Sequence, residues 1–148
     1  MKVVVRTKVQ KDIKMIFSSF DQELFMKLNP PGISAKVTRF EGCLKGCRVE
    51  LELLLFGFIK QKWMGEITNH SITDKEIYFI DEAHGKQLPF FLQNWIHKHI
   101  ICETKEGNYI IDEIDFRSPF GLSFLFYPFV YLQMKWRSPI YKKEFSSN

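Results

Sequence analysis

The chain has 148 residues, 21 basic and 17 acidic side chains, a formal charge of +4 and three cysteines. A chain of this length forms one domain, spanning 1–148, that buries roughly 70% of its unfolded surface, so neither disulfides nor a structural metal is required. It carries no export signal and no apolar run long enough for a transmembrane helix, which excludes a helical membrane protein and predicts a reducing, cytoplasmic location.

In chain order, residues 2 to 9 alternate and are rich in β-branched side chains, which predicts a strand. From Asp12 to Leu28, Ile13, Ile16, Phe17, Phe20, Leu24 and Leu28 recur at helical spacing, with Asp12 placed to cap the first turn. A break near Ser18-Ser19 or Asp21 divides this stretch into two short helices, and Asn29-Pro30-Pro31-Gly32 stops it. Six further strands follow at roughly 33–41, 47–57, 60–69, 75–82, 90–104 and 108–117, punctuated by glycine, asparagine and aspartate. Short loops between consecutive strands imply an antiparallel meander.

The tail from Phe120 to Phe145 is dense in Leu, Phe, Tyr and Trp, with Leu122, Leu125, Phe129, Leu132 and Trp136 at helical spacing. It predicts a helix buried against the sheet, kinked or broken at Pro128, with an interfacial membrane contact as a lesser reading. The densest basic group, Lys135, Arg137, Lys142 and Lys143, reads as the solvated face of that helix, so no nucleic-acid partner is predicted. Cys43 and Cys47 have three residues between them and no second Cys or His pair nearby, and a zinc site needs four ligands. They read as loop or strand cysteines.

The predicted architecture is α+β: a seven-stranded curved antiparallel sheet around a long C-terminal helix, with two short helices between strands 1 and 2. This order resembles the helix-grip fold of the START and birch-pollen-allergen superfamily (SRPBCC). Within it, the chain resembles the bacterial ligand-binding group sometimes labelled cell-division inhibitors or polyketide-cyclase-like proteins. Leu28-Asn29-Pro30-Pro31, Trp63, Ile67, Phe79-Ile80-Asp81-Glu82, Trp95-x-His97-x-His99, Asp112 and Pro119-Phe120-Gly121 carry the likeness in order. Leu88-Pro89-Phe90 departs from the group's Gly-Pro-Phe, and Pro128 interrupts its last helix. The resemblance implies a cavity between sheet and helix that takes a hydrophobic ligand. It implies no reaction, since fold does not fix function.

His97 and His99 stand two residues apart on one strand and so share a face with Trp95. A two-residue hairpin at Glu106-Gly107 would pair Ile101 with Asp112 and His99 with Ile114, joining the histidines to the apolar face of the last strand. Any even loop length preserves that inward aspect; an odd one inverts it. Asp112 then lies diagonally from His99. Three chemistries fit these residues. His97, His99 and Glu103 resemble part of a cupin metal motif, but its glycine and further histidine are missing, so no metal and no cofactor are predicted. A buried His97/His99/Asp112 cluster could instead serve acid–base chemistry of a cyclase or dehydratase. Otherwise these groups satisfy one another, or orient a ligand's polar end.

The reading adopted is non-enzymatic binding of a hydrophobic or aromatic small molecule, lipid-like or polyketide-like. Trp63, Phe79, Trp95, His97, His99, Asp112 and Phe116 are the candidate ligand-binding residues. An enzyme using the histidine cluster, and a regulatory interaction protein with an incidental cavity, stay open. The sequence assigns no oligomeric state.

Overall fold

A computed structural model describes residues 1–146. Strand β1 (Lys2–Val9) runs into two short helices, α1 (Ile13–Ser18) and α2 (Gln22–Lys27). Asp12 and Asp21 begin them, their carboxylates accepting hydrogen bonds from first-turn amides. Six strands follow: β2 (Ile33–Phe40), β3 (Arg48–Leu55), β4 (Ile59–Ile72), β5 (Glu76–His84), β6 (Asn94–Thr104) and β7 (Gly107–Arg117). The last helix, α3, spans Ser123–Glu144.

All strands join one antiparallel sheet in the order β1-β7-β6-β5-β4-β3-β2. Strands β1 and β2 form opposite edges, so the α1–α2 pair must carry the chain across the sheet. Register shifts in β2 at Val37/Arg39 and in β4 at Ile67/Asn69 bend their strands, as bulges do. Helix α3 lies against β1 and β7.

Two apolar clusters fill the space between sheet and helices. One gathers Val3, Trp95, Ile114, Phe116, Val130 and Met134. The other gathers Val9, Ile13, Ile16, Ile77, Ile101, Ile110 and Tyr141 under α1. Between them five elements contribute polar side chains: Thr7 on β1, Asp112 on β7, His97 and His99 on β6, Asp81 on β5, and Arg137 and Ser138 on α3. Thr7 and Ser138 close this layer on one side with a 2.8 Å hydroxyl–hydroxyl hydrogen bond.

The structure departs from the sequence expectations in four places. Strand β6 starts at Asn94 rather than 90, because Leu92 donates to the Pro89 carbonyl in a turn. The β6–β7 loop is Lys105-Glu106, so His99 faces Asp112 directly and His97 faces Ile114. That is a shift of two residues from the expected register, and the histidines still point inward.

Helix α3 runs unbroken through Pro128 and Pro139. Each proline is exposed, and the carbonyls it leaves without a helical partner belong to the exposed residues Phe124 and Lys135. The helix also turns a different face inward. Ser123, Val130, Met134, Arg137, Ser138 and Tyr141 are buried, whereas Leu122, Leu125, Leu132 and Trp136 are exposed. Apolar residues surround the first half of α3, so spacing alone cannot choose its inner side. Arg137, read as a solvated tail charge, is consequently one of the core residues.

Candidate ligand cavity

Antiparallel pairing sets the cavity's layers. The β3–β4 turn, the β5–β6 connection and the β7–α3 connection all lie at one end of the sheet. Near that end the inner faces carry Ile33, Leu55, Trp63, Pro89, Phe91, Trp95 and Phe129, which line a narrow cavity of about 80 Å³. Deeper in, β5, β6 and α3 bring Asp81, His97, His99 and Arg137 to the same cavity. The cavity is thus apolar towards its mouth and polar at its floor. A second void of about 40 Å³ lies beyond that floor, beneath α2, and shares Phe25, Val49, Asp81, His99 and Arg137 with the first.

The floor is a connected set of titratable groups. His97 Nε2 lies 2.9 Å from Asp112 Oδ1, and His99 Nδ1 lies 3.3 Å from the same oxygen without hydrogen-bond alignment. Arg137 Nη1 stands 3.8 Å from it. The two imidazoles stack with centroids 3.6 Å apart, and Phe79 stacks on the outer face of His99 at 4.3 Å. Burial, with His99 beside it, pushes His97 down to about 3 against the pull of Asp112. Burial likewise lowers His99. At neutral pH both rings are uncharged, and His97 donates its Nε2 proton to Asp112. Burial by itself raises the Asp112 carboxyl, but the two imidazoles and Arg137 win and hold it below the usual carboxylate range.

Asp81 behaves oppositely. Its Oδ1 is buried without a hydrogen-bond partner, and burial pushes the carboxyl up to about 7, with Arg137 opposing and Glu82 adding. Gly65 on β4 makes room for it. A Cβ at that position would fall 2.2 Å from Asp81 Oδ1, so any side chain there displaces the carboxyl.

Among the described residues, six buried side-chain polar atoms lack a hydrogen-bond partner, and four belong to cavity-lining residues: Asp81 Oδ1, Trp95 Nε1, His99 Nδ1 and Arg137 Nε. Buried polar groups are rarely left so. Three of the four, on Asp81, His99 and Arg137, belong to floor residues, which marks the floor as a place for a polar group.

The residues singled out from sequence fall into two sets. Trp63, Trp95, His97 and His99 line the larger cavity, and Phe79 the smaller. Asp112 lies behind the histidines, and Phe116 is in the core; neither lines either cavity. Asp81 and Arg137 are the floor residues that candidate list lacks. Asp81 stood within the Phe79-Ile80-Asp81-Glu82 stretch, two residues from Phe79 and so on the same strand face, a signal that could have found it. No comparable signal marked Arg137.

His97, His99 and Asp112 offer ligand atoms within 4.8 Å of one another, donor types that suit zinc or iron. The Arg137 guanidinium beside the shared oxygen opposes a cation there. Cys43 and Cys47 are free, and burial pushes the Cys43 thiol up to about 12, which makes it a poor metal ligand.

This arrangement of sheet and helices is shared with solved structures. Protein Ms6760 from Mycobacterium smegmatis superposes with a TM-score of 0.70 at 14% identity, over 99% of this chain and 91% of that one. Ginseng major latex-like protein 151 from Panax ginseng gives a TM-score of 0.53 at 16% identity, over 91% and 96%. The fold is the helix-grip fold. Protein CV1439 from Chromobacterium violaceum has it too, with a TM-score of 0.64 at 14% identity over 95% and 96%. No family model matches the chain, and no curated protein matches it in sequence. At these identities the likeness is one of fold. No helix among the described residues is long and apolar enough to cross a membrane.

Proposed function

We propose that the protein binds a small hydrophobic or aromatic molecule, lipid-like or polyketide-like, whose polar group reaches the floor of the cavity. The observation that carries this reading is that three side chains at the inner end of an aromatic-walled space, Asp81, His99 and Arg137, each keep a buried polar atom without a hydrogen-bond partner. A ligand hydroxyl or carbonyl between Asp81, His99 and Arg137 would satisfy them, and the Trp63–Trp95 edge-to-face pair would hold its apolar body. At about 80 Å³ the cavity holds a few waters, so a larger ligand requires α3 and the 85–93 connection to move apart.

Organic extraction of the purified protein, with mass spectrometry of the extract, tests the proposal. The expected result is a stoichiometric apolar compound bearing one polar group. Protein that is consistently empty, and binds neither a fluorescent fatty acid nor a naphthol, overturns it.

One observation favours an enzyme as the second reading: a carboxyl in the cavity poised near neutral pH. The acid–base group would then be Asp81, with the uncharged His97 and His99 rings beside it. Asp81→Asn keeping affinity while abolishing turnover of the extracted compound would favour that reading.

A further inference from the structure

Several large apolar side chains at the mouth of the cavity face outward. Phe56 and Phe58 in the β3–β4 turn are 68% and 74% exposed, and Phe90 in the β5–β6 connection is 66% exposed. Phe120 and Phe124, entering α3, are 95% and 61% exposed. At the opposite end of the sheet the turns Thr73-Asp74-Lys75 and Lys105-Glu106 are polar, and although Leu44 and Ile72 are exposed there, no phenylalanine among the described residues is. Five exposed phenylalanines on three separate connections at one end exceed the scatter of single apolar residues that any surface carries.

Backbone conformation points to the same end. Among the described residues only two non-glycines have positive φ, Phe56 at 52° and Phe120 at 54°. A bulky side chain in the left-handed region is strained, and such residues persist where the strain serves a function. Here it projects two rings that pack poorly on their own protein. The apolar path does not end at the surface. Phe90 contacts Phe91 edge-on at 5.5 Å, and Phe91 meets Phe129 at 6.4 Å, both of the latter lining the cavity.

Charge defines what the end could meet. Lys36, Lys60, Lys62 and Lys86 share a concavity on the outer side of β2–β4 with a single carboxylate, Glu52. None of the four lysines makes an ion pair among the described residues. Phenylalanines flanked by unpaired lysines match the boundary of an anionic bilayer, where rings enter the acyl edge and ammonium groups meet phosphates.

We infer that the mouth of the cavity docks on an anionic lipid surface through these phenylalanines and lysines. Docking would place the cavity against the phase from which a hydrophobic ligand partitions. The surface itself does not depend on that ligand, so its test stands or fails apart from the binding proposal.

The test is flotation of the full chain with vesicles of phosphatidylcholine containing about one third phosphatidylglycerol, against phosphatidylcholine alone. Mixed vesicles should bind at least about ten-fold more tightly, and salt should weaken that binding. Phe58→Ser with Phe90→Ser should reduce partitioning by about ten-fold or more with the melting temperature unchanged. Lys60→Glu with Lys62→Glu should lower mixed-vesicle binding to the phosphatidylcholine level. Absence of binding to mixed vesicles at low salt, or variants that bind like the parent, would overturn the inference. So would a dimer in sedimentation velocity that Phe58→Ser/Phe90→Ser makes monomeric without altering vesicle binding, since the rings would then cover a second copy.

Discussion

The mouth and the floor of the cavity break the usual rule of burial in opposite directions. At the mouth, phenylalanines are exposed; at the floor, Asp81, Asp112, His97, His99 and Arg137 are withdrawn from water between two apolar clusters. Stability by itself favours neither. Exposed rings forgo burial worth roughly 1.5–3 kcal/mol each, and a buried ion pair is often no better than apolar residues of the same volume. Ring contacts from Phe90 through Phe91 to Phe129 link the two ends.

The floor should be energetically coupled and the mouth should not. The largest effect is expected for Asp112→Ala, which leaves Arg137 without its counter-charge and His97 without its acceptor. Urea unfolding near neutral pH should show a loss of about 3–5 kcal/mol. A loss below about 1 kcal/mol would mean that water already reaches the layer, and the contrast with the mouth would vanish.

The Asp81 carboxyl gives the next effect, with a sign set by its raised value. Between its ordinary 3.8 and about 7, the unfolded form has lost the proton that the folded form keeps, so the contribution of Asp81 to stability falls as pH rises through that window. Asp81→Asn removes this dependence. Relative to the parent, the variant should gain stability from about pH 5 to about pH 8. About two of those pH units, from 5 to about 7, carry the dependence, and at about 1.4 kcal/mol each they set roughly 3 kcal/mol as the upper bound. An equal stability difference at the two pH values would show the carboxyl to be solvated through the cavity.

The smallest effect belongs to the mouth. Phe58→Ser and Phe90→Ser, taken singly, should change unfolding free energy by less than about 0.5 kcal/mol. A larger loss would mean that these rings pack within the protein, and the two ends would no longer differ in kind.

Much of this was legible in the chain. Asp12 marked the first helix start, proline and glycine marked the stops, and period-two alternation marked the strands. The inward aspect of His97 and His99 survived a two-residue error in register because strand sidedness depends only on parity. Asp81 was visible as a neighbour of Phe79 on one strand face. Arg137 was not, because a basic residue near a chain end beside Lys135 and Lys142 has the pattern of a solvated helix.

The sequence alone determined which segments are strands and helices, that the helical stretch falls into two, and that the histidines share a face, because these follow from local periodicity and backbone stereochemistry. Only the tertiary structure decided which side of α3 turns inward. Both sides of its first half are apolar, and contact with β1 and β7 chooses between them. That choice carries Arg137 to Asp112 and turns Leu125, Leu132 and Trp136 outward.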